Sequence, residues 1–136
     1  MVTAIETAMA GIDDAVMRLG IGIRLFFKRA QRDPVWCRFV ARVWNVGGLD
    51  LPVRDFDTAI RQGHFRVPGR EAAYGVLFGG IREALRRIGE GHVPAGYGDQ
   101  VAEICLRALQ ADPRRIAAVL AHELPEMARS ALGRRP

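Results

Sequence analysis

The feature that most limits what this chain can fold into is the rhythm of its apolar residues. They recur at steps of three and four from one end to the other, and no segment alternates in the two-residue rhythm of a half-buried strand. A chain with that one period builds an all-α domain, because each helical stripe must be buried against another. Two Asp-Pro pairs punctuate the rhythm. Asp33-Pro34 and Asp112-Pro113 each set an N-capping carboxylate before a proline suited to the first helical position, so each restarts the chain as a new helix.

About seven segments follow. Residues 2–12 read as a short amphipathic helix with Ile5, Met9 and Ile12 on one face. Asp13 or Asp14 caps a second helix running to about Arg32, with Val16, Leu19, Ile23, Phe26, Phe27 and Ala30 facing inward. Gly20 and Gly22 weaken its middle by about 1 kcal/mol each relative to Ala, and leave room for a kink or a close neighbour. The third helix carries Trp36, Phe39, Val40, Val43 and Trp44 and ends at Gly47-Gly48. A short helix spans about Pro52 to Gln62, closed by Gly63; His64 to Val67 is extended and Pro68-Gly69 is a turn. The fifth helix, Arg70 to about Gly89, has the broadest apolar stripe. A loop over 91–98 leads to a sixth helix starting near Asp99, with Val101, Ile104, Cys105, Ala108 and Leu109 on one face. The last helix holds Ile116, Val119, Leu120 and Leu124, and Pro125 kinks or ends it. Residues 133–136 are expected to fray.

A length of 136 residues makes room for one domain, 1–136, that buries a core without staples. No apolar run reaches the roughly 18 residues of a membrane span, and the N-terminus lacks the basic start of a secretory signal, so a cytoplasmic protein with no membrane partner is expected. The two cysteines, Cys37 and Cys105, are too few for a disulfide framework or a zinc site and read as buried, inert thiols. The formal charge is +5, carried by 19 Arg and a single Lys, but the arginines are scattered and paired with acids, as in Arg70-Glu71 and Arg82-Glu83; no basic stripe emerges.

Catalytic patterns are thin. His122-Glu123 opens like a zinc-protease helix, but Glu126 stands where the second His ligand is required. Ser130 is the only serine, and no glycine-rich loop ends in Gly-Lys-Ser/Thr. A non-enzyme without cofactor or metal is the expectation. The rival enzyme reading places His64 or His92 in a pocket as a base.

Two features say more. The aromatic residues Phe26, Phe27, Trp36, Phe39, Trp44, Phe56, Tyr74 and Phe78 fall across four segments. They read either as plain core or as the lining of a pocket for an apolar ligand, with Arg38, Arg42, Asn45 and Tyr74 as polar anchors. The second is Gly75-x-x-x-Gly79-Gly80 with Ala72, Ala73 and Ala84 nearby. Glycines four apart share a helix face and let another backbone come close, either inside the monomer or across a two-fold axis.

The order of segments resembles a TetR-family transcriptional regulator. The residues that carry the likeness are Arg24-Leu25-Phe26-Phe27-Lys28-Arg29-Ala30, then Asp33-Pro34-Val35-Trp36 and Arg38-Phe39. Next comes Ala59-Ile60-Arg61-Gln62-Gly63-His64-Phe65-Arg66-Val67, and after it the glycine-rich helix and the Val101 to Leu109 helix, in matching order. The likeness covers about residues 2–110. It implies the family's C-terminal fold, an effector-binding and dimerisation domain that pairs through an intersubunit four-helix bundle. The implied effector-pocket residues are Phe26, Trp36, Phe39, Val40, Val43, Trp44, Tyr74 and Phe78. The implied dimer residues are Gly75, Leu77, Gly79, Ile81, Ala84, Leu85, Ile88, Val101, Ile104, Cys105 and Leu109. The implied partners are a second copy, a small apolar or amphipathic effector, and DNA only through an N-terminal helix-turn-helix domain. Nothing before residue 15 has room for that domain, and residues 1–12 correspond to the end of the linking helix. The chain is therefore expected to be a fragment, a misassigned start, or a member without its DNA reader. The alternative is a helical small-molecule-binding or protein-interaction module with no DNA role.

Overall fold

The computed structural model describes residues 9–43 and 53–125. Those residues form six α-helices and no strand: α1 (Ala15–Arg32), α2 (Pro34–Val43), α3 (Val53–Arg61), α4 (Arg70–Glu90), α5 (Tyr97–Ala108) and α6 (Pro113–Ala121). Trp44, the Gly47-Gly48 pair and the 133–136 tail lie outside the described residues.

The capping residues do what their chemistry dictates. Asp14 accepts from the Met17 N–H at 3.0 Å and starts α1. Asp33 accepts from the Trp36 N–H at 3.1 Å and starts α2. Asp112 accepts from the Arg114 N–H at 2.7 Å and starts α6, with Pro113 in its first turn. Upstream of α1, residues 9–11 form a turn in which Gly11 takes φ +87° and the Ile12 N–H donates to the Met9 carbonyl at 3.0 Å; residues 1–8 lie outside the described residues.

Helix α1 packs against each of the other five described helices. Every residue from Leu19 to Phe27 is buried. One inward face was expected, but a helix surrounded on all sides must be covered on all sides. Its far side carries a small second cluster, Ile21 and Leu25 with Met9, against which Ile12 and Leu124 pack. Gly20 marks the closest approach. A Cβ built there would lie 2.7 and 2.9 Å from the two Cγ atoms of Val119 on α6. Of the two uses open to this glycine, the structure shows the close neighbour, and α1 runs unbroken past it.

Three boundaries differ from the sequence reading, the first being that residues 9–12, read as the end of a first helix, form a turn and non-helical backbone. Helix α6 ends at Ala121, so Leu124 is not in it. The Arg24 guanidinium takes the Val119 and His122 carbonyls at 2.7 and 2.8 Å, and Pro125 disfavours helical geometry at the residue before it. Helix α5 begins at Tyr97, slightly ahead of Asp99. Residues 64–67 follow expectation in being non-helical; the Arg66 N–H donates to the Leu109 carbonyl at 3.1 Å, and Phe65 turns into the core.

Candidate functional site

The aromatic side chains gather into two packed sets. On α1 and α2, the Phe26 and Trp36 rings meet edge-on, with centroids 5.4 Å apart at 74°. Arg29 lies over the Trp36 ring at 4.8 Å. Around α3 and α4, Phe56 lies 6.1 Å from Tyr74, 5.8 Å from Phe78 and 6.3 Å from Phe65, and Tyr74 lies 4.5 Å from Phe78. Phe26–Trp36, Phe56–Tyr74 and Phe56–Phe78 are attractive geometries in which edges meet faces, and the other two pairs are tilted. Arg70 spans the outer side of this set, 5.7 Å from the Phe56 ring and 5.2 Å from the Tyr74 ring. Asp57 holds it there, accepting from Arg70 Nε at 2.9 Å. The rings are in contact, so a ligand entering among them must part them.

Of the implied pocket residues, Phe26, Trp36, Val40 and Phe78 are buried, and Tyr74 and Val43 are half-buried. Phe39 is 48% exposed and sits with exposed Val35 one helical turn away. Helix α2 is only ten residues long and turns just Trp36, Cys37 and Val40 fully inward, which leaves Phe39 on the other side. Trp44 and Asn45 lie outside the described residues. Phe65 belongs to the second ring set, although its extended sequence context gave it no helical register to signal that.

The small-residue helix separates into two faces. Leu77, Ile81, Ala84, Leu85 and Ile88 are buried inside the chain's own core, as is Leu109, the residue that caps the end of α5. They face inward because α4 packs on α1, α2 and α5 and must cover all three. Cys105 is buried and Val101 half-buried. Gly75 and Gly79 point the other way, and a Cβ built on either meets nothing within 4 Å. Beside them Val76 is 64% exposed, and Ile104 on α5 is 65% exposed. Ala72 and Ala108 are exposed too. A groove of about 150 Å³ runs between the two helices, with Val67, Pro68, Val76 and Ala108 on its walls. That volume is below the roughly 300 Å³ of a typical ligand pocket. Farther along α4 the outer face changes character: Arg86 bridges Glu83 at 2.8 Å and Glu90 at 2.9 Å, and Arg87 bridges Glu83 at 3.0 Å.

A larger cleft of about 570 Å³ opens between α1, the start of α5 and the end of α6, lined by Arg24, Lys28, Gln31, Arg32, Asp99 and His122. Its deepest cation is already used. Arg24 donates from Nε and Nη2 to the two Asp99 carboxylate oxygens at 2.8 and 3.2 Å, besides holding the end of α6. Lys28 donates to the Pro125 carbonyl at 3.0 Å.

Both thiols are buried, as expected. Burial pushes Cys37 up to about 11, helped by the Asp33 charge and opposed by Arg38, and its Sγ donates to the Leu85 carbonyl at 3.3 Å. Burial raises Cys105 as well. Neither forms thiolate readily near neutral pH. His64 lies 3.5 Å from Arg115 Nη2, while His92 is exposed in the loop after α4. Among the described residues no three His, Cys, Asp or Glu side chains converge as a metal site, and no helix is long and apolar enough to cross a membrane.

No protein-family model, curated protein or solved structure matches the chain.

Proposed function

We propose that this chain is the effector-sensing and dimerisation domain of a TetR-like transcriptional repressor, located in the cytoplasm. The sequence resemblance supplies the family, and one structural observation supports it above others. Helix α4 carries two glycines open to space and exposed Val76, which lines a shallow apolar groove against α5, and α5 itself exposes Ile104. Glycine in mid-helix costs about 1 kcal/mol relative to Ala and here relieves no contact inside the monomer. A second copy of the same face removes the apolar surface from water and uses the open glycines for close helix approach.

In this reading the effector is an apolar or amphipathic small molecule that enters beside Phe56, Tyr74 and Phe78 or beside Phe26 and Trp36. Since the rings touch in the closed state, binding selects an open state in which they have separated. The ligand shifts the balance only by its differential affinity for that state. DNA is read by a helix-turn-helix segment beyond these 136 residues. The domain's own +5 charge offers only weak, salt-sensitive contact with DNA.

Light scattering across a dilution series tests the dimer. The expected result is a mass of two chains, reduced to one by Val76→Glu or Ile104→Glu with helicity unchanged. Monomer at every concentration removes the dimer bundle and leaves the helical ligand-binding or interaction module as the better reading. The pocket is tested by titrating an apolar fluorescent probe: Trp36→Ala or Tyr74→Ala weakens its binding if the aromatic sets receive ligand, and unchanged binding in both refutes that placement.

A further inference from the structure

The cleft between α1, the start of α5 and the end of α6 belongs to neither ring set. Its volume of about 570 Å³ falls inside the roughly 300–1,000 Å³ of small-molecule sites. Steps of four and three put Arg24, Lys28 and Gln31 on one stripe of α1, and that stripe forms one wall. Gly98 and Asp99, in the first turn of α5, form the second. Residues 122–124, leaving α6, form the third.

These walls are held in place by the fold itself. Gly98 is pressed so closely on α1 that a Cβ built there would lie 2.6 Å from the Cβ of Phe27. The segment after α6 is tied to α1 twice, by Arg24 at the His122 carbonyl, 2.8 Å, and by Lys28 at the Pro125 carbonyl, 3.0 Å. A cleft already built by three anchored elements needs little ordering when a ligand binds.

The lining is rich in donors and carries excess positive charge. Arg24, Lys28 and Arg32 stand against Asp99 and Glu123. Asp99 is engaged already, since both its oxygens accept from Arg24. Those bonds and the two carbonyls take four of the five guanidinium N–H groups of Arg24. The fifth, on Nη2, has no acceptor among the described residues, although the side chain is only 8% exposed. A donor in that position favours a ligand that brings an acceptor. Lys28 uses one of its three N–H groups on Pro125. Oxygens of a carboxylate or phosphate complement such a set through charge-assisted bonds. The cleft has room for more than an inorganic ion, and half-buried Leu124 gives it an apolar surface for an organic body.

We propose that this cleft binds a small organic anion, whose carboxylate or phosphate group is taken by Lys28 and the remaining Arg24 N–H. The site does not depend on the ring sets receiving a ligand.

NMR of the full chain at pH 7 tests it, with inorganic phosphate and citrate as separate probes against NaCl of matched ionic strength. The Gly98 and Asp99 amides and Arg24 Nε should shift saturably with at least one probe. Saturation by phosphate alone assigns a phosphate group, by citrate alone a carboxylate, and by both a site that accepts either. Lys28→Gln should weaken binding by about tenfold or more with helicity unchanged, because one charge-assisted bond is lost. Arg38→Gln removes an exposed charge on α2, outside the cleft, and should leave the affinity near that of the parent. Shifts that never saturate, or that NaCl reproduces, overturn the site. So does a loss in Lys28→Gln no larger than in Arg38→Gln, which is what the general +5 charge of the chain would give.

Discussion

Replacing Arg24 with Met removes the clasp that closes α6. The side chain is 8% exposed and its guanidinium makes four bonds, two to Asp99 and one each to the Val119 and His122 carbonyls. Met keeps most of the aliphatic volume, so the loss is polar. The Asp99 side chain is half-exposed and recovers water when the pair is broken, so the full penalty of a buried lone charge does not apply to it. The Val119 carbonyl is different: its bond to Arg24 is buried, and orphaning such a group costs about 1–3 kcal/mol. The His122 carbonyl is only part-buried and adds about 1 kcal/mol. Arg24→Met should therefore destabilise the fold by about 2–4 kcal/mol. For a chain of this size that lowers Tm by roughly 10 °C. Urea unfolding followed by helical circular dichroism measures it. Arg24→Lys should recover only part, because an ammonium cannot reach both Asp99 oxygens and both carbonyls at once. A loss below about 1 kcal/mol in Arg24→Met would refute the claim that these carbonyls depend on Arg24.

Other substitutions test separate links. Gly20→Ala forces a methyl against the stiff, fully buried Val119; overpacking of about 1–3 kcal/mol exceeds a helix-propensity gain of about 1, so denaturant melts should show net destabilisation. Gly75→Ala meets no atom of the same chain, so under conditions that keep the chain monomeric it should stabilise by about 0.5–1 kcal/mol; destabilisation there would mean the face is not open. Asp14 is acidified although burial acts to raise it, because the Met17 N–H and Arg115 outweigh burial. Its contribution is thus present above the ordinary aspartate range and is lost as pH falls through the lowered value. Asp14→Asn should flatten that acid limb of a stability–pH curve, and an unchanged limb would exclude Asp14 as its source. Cys37 and Cys105 should resist alkylation by iodoacetamide at pH 7 until the chain unfolds, and rapid labelling of the native protein would contradict their burial.

Much of the fold was legible because it is encoded locally. An aspartate before a proline caps a helix whatever surrounds it, so Asp33 and Asp112 marked the starts of α2 and α6 in the sequence alone. Three-and-four spacing placed Val16, Leu19, Ile23, Phe26 and Phe27 inward on α1. The candidate site was less legible. The family resemblance grouped Gly75 with Leu77 and Ile81 as one interface, yet the structure turns the glycine outward and buries the two aliphatics. Phe39 and Trp36 looked alike as aromatics of one helix, and only the short contact face of α2 separates them.

The sequence by itself determined the six described helices, the aspartate caps that start α1, α2 and α6, and the all-α class, since turn chemistry and apolar period act over a few residues. Tertiary structure alone decided that α1 is enclosed on every side, that Arg24 is drawn in to close α6 and satisfy Asp99, and that Arg18 bridges the N-terminal turn to α3. Those outcomes depend on which helices meet, and partners 37 or 75 residues apart in sequence leave no periodic trace in the chain.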